Sequence, residues 1–184
     1  MKFKPFVGVA LALVALLITS PALAKEQAKA GKSLGGWADT RWGMTEADLK
    51  KLYPGKIEKA SEEYQAKGWA LKMEGYQFEG QTYTVYFTMT DGKLASVTLT
   101  TGPSESARDD QYRKLSRMFE QKYGPPTSQD PPEKFPPRQF LYSTEWELKD
   151  TKIALVYVYS SVLTSKGLYA ILLTYEAQEE SDSL

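Results

Sequence analysis

The sequence predicts an α+β fold made of two tandem αβββ units, antiparallel meanders with their helices packed on one face. Three observations predict it. Apolar residues recur at a constant spacing of seventy: Tyr53 with Tyr123, Tyr76 with Trp146, Phe78 with Leu148, and Tyr83, Val85, Phe87 and Met89 with Ile153, Leu155, Tyr157 and Tyr159. A fixed internal spacing of this kind is the signature of a repeated supersecondary unit. Each copy also carries period-two alternation, as in Tyr83, Val85, Phe87 and Met89 against Thr82, Thr84, Tyr86, Thr88 and Thr90, the pattern of a sheet with one face on a core. Helix start and stop signals precede each meander.

The chain opens on Lys2 and Lys4, an apolar stretch from Phe6 to Ile18, and Ala22-Leu23-Ala24. Basic flank, short apolar run and small-residue site together read as a secretory signal over residues 1–24. The run is too short for a membrane span, which needs about 20 apolar residues, because Thr19, Ser20 and Pro21 end it. The mature chain is expected to start at Lys25, with no stable membrane anchor and a periplasmic or secreted destination in a bacterium. No cysteine lies near the cut to carry a lipid.

Removing residues 1–24 leaves 160 residues with 21 basic and 23 acidic side chains. That length buries roughly 68–70% of the unfolded surface. The slight acidic excess excludes a nucleic-acid binder, which would show a basic surplus. Residues 25–43 form an N-terminal segment, 44–102 the first unit, 103–177 the second and 178–184 an acidic tail.

In the first unit, Thr45 and Asp48 occupy capping-box positions, with Met44 and Leu49 placed as a hydrophobic staple. This helix is stopped by Pro54-Gly55. The second helix is expected to open near Ser104 or Ser106, to present Tyr112, Leu115, Phe119 and Tyr123 on one face, and to stop at Gly124-Pro125-Pro126. Long connectors follow each helix, Lys56 to Gly68 and Pro125 to Arg138. The second holds three Pro-Pro pairs and should run extended.

Of the strands, Thr90-Asp91-Gly92 is read as a three-residue loop that pairs Phe87 with Ala95, Val85 with Val97 and Tyr83 with Leu99. The apolar phase shifts between Met73 and Tyr76, where Gly75 would accommodate a bulge. Lys149-Asp150 turns strand Phe140–Leu148 into Ile153–Ser160, and Leu168–Tyr175 completes the second meander.

The chain contains no histidine and no cysteine. That excludes Ser-His-Asp and Cys-His catalysis, the usual zinc ligands and disulfide exchange. No phosphate-cradling glycine pattern occurs, no calcium loop is spaced correctly, and no cofactor or metal is expected. Carboxylates such as Glu74, Glu145 and Glu147 are the remaining acid–base candidates, and two across a cleft could cleave a glycosidic bond. The four Trp and twelve Tyr are read mainly as core pieces with a polar tip.

The Trp42-Gly43-Met44-Thr45-Glu46-Ala47-Asp48-Leu49 opening, the Asp91-Gly92-Lys93-Leu94 hairpin, the Lys122-Tyr123-Gly124-Pro125-Pro126 helix end and the Trp146 strand resemble those of small exported bacterial proteins of uncharacterised role. In layout the chain is similar to the beta-lactamase-inhibitor-protein and BamE-like group. That resemblance implies a non-enzymatic protein acting by binding other envelope proteins or enzymes. The chain departs from BamE in lacking the lipobox cysteine. A periplasmic small-ligand or glycan-binding protein is the alternative, and a carboxylate hydrolase the third reading.

The two copies differ on the face expected to point away from the helices. The first carries Thr82, Thr84, Thr88 and Thr90 beside Ser96, Thr98 and Thr100, with Tyr86 among them. The second carries Lys152, Ala154, Val156, Val158 and Ser160 beside Ala170, Leu172 and Thr174, and is apolar in its middle. An apolar centre on such a face marks an interaction site, so Val156, Val158, Leu172 and Tyr86 are the candidate binding residues. Their cover is expected to be the chain itself, through the Trp37 to Trp42 segment or the Pro-rich connector, or else an envelope protein or a second copy of the chain.

Overall fold

The computed structural model describes residues 33–105, 108–130, 139–160 and 167–178. The expected signal segment, the start of the mature chain and the tail beyond Gln178 lie outside them. In chain order the elements are α1 (Glu46–Leu52), β1 (Glu58–Lys59), α2 (Glu62–Gln65), β2 (Trp69–Phe78), β3 (Gln81–Thr90), β4 (Lys93–Thr100), α3 (Asp109–Tyr123), β5 (Ser128–Asp130), β6 (Gln139–Glu147), β7 (Thr151–Ser160) and β8 (Leu168–Ala177). The strands form one eight-stranded antiparallel sheet in the order β1-β2-β3-β4-β8-β7-β6-β5. Two meanders thus meet at the β4–β8 seam, where Val97 pairs with Tyr175 and Leu99 with Leu173. The class is α+β.

One face of the sheet carries the core. Tyr83, Val85 and Phe87 of β3 and Ile153, Leu155 and Tyr157 of β7 are all buried there, in one cluster with Leu49 of α1 and Leu115, Phe119 and Tyr123 of α3. Alternate strand residues face this layer while their neighbours face away. The four-residue α2 departs from the expected one-sided arrangement. Its Tyr64 lies tilted against Tyr86 on the opposite face, with ring centroids 5.0 Å apart.

The start of α1 is built as its sequence requires. Thr45 Oγ1 accepts from the Asp48 amide at 3.3 Å, and the Thr45 amide donates to Asp48 Oδ2 at 2.9 Å. Leu49 is fully buried behind this cap. The second helix begins later than expected, at Asp109, and Arg108 at its N-cap position makes no side-chain capping bond. Ser104 is used elsewhere: it exchanges backbone hydrogen bonds with Tyr169 at 2.9 and 2.7 Å, which holds the chain extended before the helix can start. Ser106 lies outside the described residues.

The β3–β4 hairpin corrects the expected register. Thr90 pairs with Lys93 across a two-residue turn, Asp91 and Gly92, both with positive φ, the geometry of the tight turns that match strand twist. A register shift between Thr88 and Met89 then adds one residue, so Val85 meets Leu99 and Phe87 meets Val97. Apolar still faces apolar, two residues further along than the three-residue loop would place it. The bulge between Met73 and Tyr76 is present, with Gly75 at φ 74°. Neither connector is plain: the first forms β1 and α2, and the second contributes β5 before residue 131, after which it lies outside the described residues.

Residues 33–44 strap one end of the sheet. The Asp150 carboxylate accepts from the Ser33 hydroxyl, from the Leu34 and Gly35 amides at 2.9 Å each, and from Thr151 Oγ1 at 3.0 Å. Trp42 Nε1 donates to Thr151 Oγ1 at 3.0 Å, and Gly43 and Met44 pair with the Leu94 backbone in the β3–β4 hairpin. Burial opposes the Asp150 charge, but these donors outweigh it and hold the carboxyl below its ordinary range. A carboxyl depressed in the folded state contributes stability above its unfolded value of about 3.9 and loses it as pH falls through the folded one. The stability difference between wild type and Asp150→Asn should therefore be full above about pH 5 and shrink steadily below about pH 4. Denaturant melts across that range check it, and a pH-independent difference would mean that the charge is not what holds the strap.

Candidate binding face

The face turned away from α1 and α3 is covered unevenly. Over β2 and β3, Tyr86 is only 6% exposed, under Trp69 at 4.4 Å and Tyr64 at 5.0 Å between ring centroids. Burial, then the neighbouring Tyr64 hydroxyl, pushes the Tyr86 phenol up to about 12. Trp69 reaches it because a register shift between Trp69 and Leu71 turns the indole onto this face. Beside it, Lys72 is gripped by Glu74 at 2.6 Å and Glu58 at 3.6 Å.

Over β6 to β8 the middle of the face is apolar, and no helix lies over it among the described residues. Val156 sits directly across from Leu172, Val158 from Ala170, and Leu141 from Val158. Val156, Val158 and Leu172 are half-buried, and Leu141 is 43% exposed, the exposed large hydrophobic side chain among the described residues. The sheet thus brings together three of the four candidate residues. Tyr86 is kept apart by the seam, where Thr98 and Thr174 pair and share a hydrogen bond at 3.2 Å.

Leu141 was not singled out from the sequence. The signal for it is the alternation Leu141, Ser143, Glu145, Glu147 against Tyr142, Thr144, Trp146, Leu148, which assigns it to the open face. One expected cover is corrected: Trp37 is 5% exposed on the helix side, edge-on to Tyr76 at 5.0 Å and Phe87 at 6.2 Å. The Trp37 to Trp42 segment therefore does not lie over Val156 and Val158.

At the end of this face near the strap, Lys152 pairs with Glu145 at 3.0 Å and lies in register between Glu147 and Glu176. The Glu145 hydrogen bond, opposed by partial burial, raises the lysine above its ordinary value, with Glu147 and Glu176 adding to the shift. Glu145 and Glu74 thus each sit in an ion pair with a lysine of the same face. Among the described residues no group of His, Cys, Asp and Glu is placed to hold a metal ion, and no helix is long and apolar enough to cross a membrane.

The helix side carries a recess of about 270 Å³ between the strap and the end of α3, lined by Trp37, Tyr76, Phe78, Lys122, Tyr123 and Tyr175. Burial, and then the Tyr123 and Tyr76 phenols, push the Tyr175 hydroxyl well above its ordinary value. Its rings are largely turned on one another and on the core, as with Trp37 against Tyr76.

No family model matches the chain, and neither a curated protein nor a solved structure matches it.

Proposed function

We propose that this is an exported, non-enzymatic protein of the bacterial envelope that binds another protein or a peptide on the open face of β6 to β8. The observation that carries the reading is the apolar cluster of Leu141, Val156, Val158 and Leu172 on a sheet face with no helix over it among the described residues. Such clusters on soluble proteins mark contact surfaces. The closed aromatic stack on the other half of the same face supports it by contrast, since there the chain covers its own Tyr86.

We read the chain as two tandem αβββ units, each with a short edge strand added. The mirror-like strand order about β4 and β8 and the matching burial of Tyr83, Val85 and Phe87 with Ile153, Leu155 and Tyr157 favour this. The layout similarity to the beta-lactamase-inhibitor-protein and BamE-like group points the same way, since members of that group act by binding proteins.

Val158→Glu is the test. The variant should stay folded by circular dichroism and lose at least about tenfold in association, measured by crosslinking pull-down from the native envelope. A variant that unfolds would show that the chain itself covers the face, and the binding surface would have to be abandoned. The second reading, a small-ligand or glycan-binding protein, rests on the aromatic recess beside Trp37 and Tyr175; saturable binding of a sugar that Tyr76→Ala removes would favour it.

A further inference from the structure

The recess on the helix side is assembled from parts of the chain that lie far apart in sequence. The strap supplies Trp37 and Ala38, β2 supplies Phe78, and α3 and β8 supply Lys122, Tyr123 and Tyr175. The strap wall is pinned from outside the recess. Asp150 grips its start through the Leu34 and Gly35 amides, and the Thr40 hydroxyl closes its turn on the Trp37 amide and carbonyl. Within that turn Ala38 holds φ at 49°, a left-handed conformation that costs a residue bearing a Cβ and that clusters where the backbone is shaped for a ligand.

The lining combines apolar rings with donors. The Lys122 ammonium lies 5.0 Å from the centre of the Tyr123 ring, and Tyr175, only 7% exposed, reaches the recess as well. Burial and the Tyr123 and Tyr76 phenols keep the proton on the Tyr175 oxygen, so this hydroxyl donates and carries no charge. Lys122 is the charged side chain of the lining; Asp39 acts on Tyr76 from the strap but does not line the recess. An ammonium and hydroxyl donors beside apolar walls match a ligand with one anionic head and one apolar body. Size narrows the choice. A cavity of about 150 Å³ holds one benzene ring, so about 270 Å³ takes one ring with a short acid arm and falls short of two. A neutral sugar would use the rings but gain nothing from the charge of the ammonium.

We infer that this recess binds a small organic acid with a single aromatic ring, its carboxylate held by Lys122 and the Tyr123 and Tyr175 hydroxyls and its ring against Trp37 and Phe78. This names a ligand class for the second reading above and is independent of the docking face, which lies on the other side of the sheet. Asp150 acts as a positioning residue: it holds the strap wall without lining the recess.

The test uses the whole mature chain, residues 25–184, so that any part of it able to fill the recess is present to compete. The probe is 3-phenylpropionate, at about pH 7, where its carboxylate is ionised. Calorimetry should show one saturable site with Kd at or below about 1 mM, and the amide resonances that move should include those of Gly36, Ala38 and Tyr123. The neutral counterpart 3-phenylpropanol, and N-acetylglucosamine, should each bind at least about tenfold more weakly. Lys122→Gln, at an exposed position of α3, should melt like wild type and lose about fivefold or more for the acid while leaving the alcohol unchanged. Asp150→Asn should weaken acid and alcohol alike, as a loosened wall requires. No saturable binding of the acid, equal affinity for acid and alcohol, or shifts confined to β6 and β7 overturns the proposal; the acid-to-alcohol ratio of the wild type decides it even if Lys122→Gln fails to fold. Binding of the sugar without the acid would also overturn it while leaving the second reading standing. Loss of envelope association in Val158→Glu with no ligand bound by the recess would overturn it and leave the docking face intact.

Discussion

Gly36→Ala should destabilise the protein by about 3 kcal/mol or more, at the severe end for overpacking a rigid site. A Cβ at Gly36 would lie 2.0 Å from the Thr40 carbonyl oxygen and 2.8 Å from the Arg41 Cα. These are backbone atoms, and that backbone cannot yield freely. Thr40 Oγ1 donates to the Trp37 carbonyl at 2.7 Å and accepts from the Trp37 amide at 3.1 Å, while the Trp42 amide donates to the Gly35 carbonyl at 2.9 Å. The close approach buries Trp37 against Tyr76 and Phe87, so relieving the clash would lift the indole from the core. Gly35→Ala is the control: nothing lies within 4 Å of the added Cβ, and the cost there is the left-handed φ of 62°, roughly 1–2 kcal/mol. Denaturant melts of the two variants should rank Gly36→Ala as clearly the worse. Equal losses would mean that the loop is free to rearrange.

Trp146→Ala should cost about 3–5 kcal/mol. The side chain is 1% exposed and tilts against Phe119 at 5.5 Å. Its Nε1 donates to the Gly124 carbonyl at 3.0 Å, where α3 ends. Truncation therefore opens a cavity between β6 and α3 and strips a partner from a helix-terminal carbonyl, which adds to the transfer cost. Trp146→Phe fills much of the space and loses only the hydrogen bond, so it should recover most of the stability. Urea melts followed by circular dichroism separate the two; similar losses in both variants would place the weight on the hydrogen bond rather than on packing.

What the sequence made legible is what repeats or alternates. Period-two patterning located β3, β4, β7 and β8, and the Thr45–Asp48 pair located the start of α1, because each signal lies within a few residues of the structure it specifies. The β3–β4 register was not legible. Two routes keep apolar against apolar, a three-residue loop or a two-residue turn with a bulge at Thr88 and Met89, and alternation alone does not choose between them. Tyr86 shows a second limit. In its own strand it stands among threonines, and its burial comes from Trp69 and Tyr64 across the neighbouring strand, through a bulge and a helix of four residues that reads as connector. Val156, Val158 and Leu172 were legible as a patch for the opposite reason: strand pairing brings i and i+2 of one strand to face a single partner strand, and the pattern carries that directly. Leu141 joined them only once the β6–β7 register placed it opposite Val158.

On the proposed reading, the apolar face of β6 to β8 is open in the free protein and closes on a partner. Because the chain has no cysteine, a single Val158→Cys substitution gives a clean reporter, with Val97→Cys on the core face of β4 as its buried counterpart. Maleimide labelling of the folded proteins is the measurement. Val158→Cys should be modified in the native state within about tenfold of its unfolded rate and be slowed by envelope extract, while Val97→Cys should react only on unfolding. Val158→Cys reacting no faster than Val97→Cys in the isolated folded protein would contradict it.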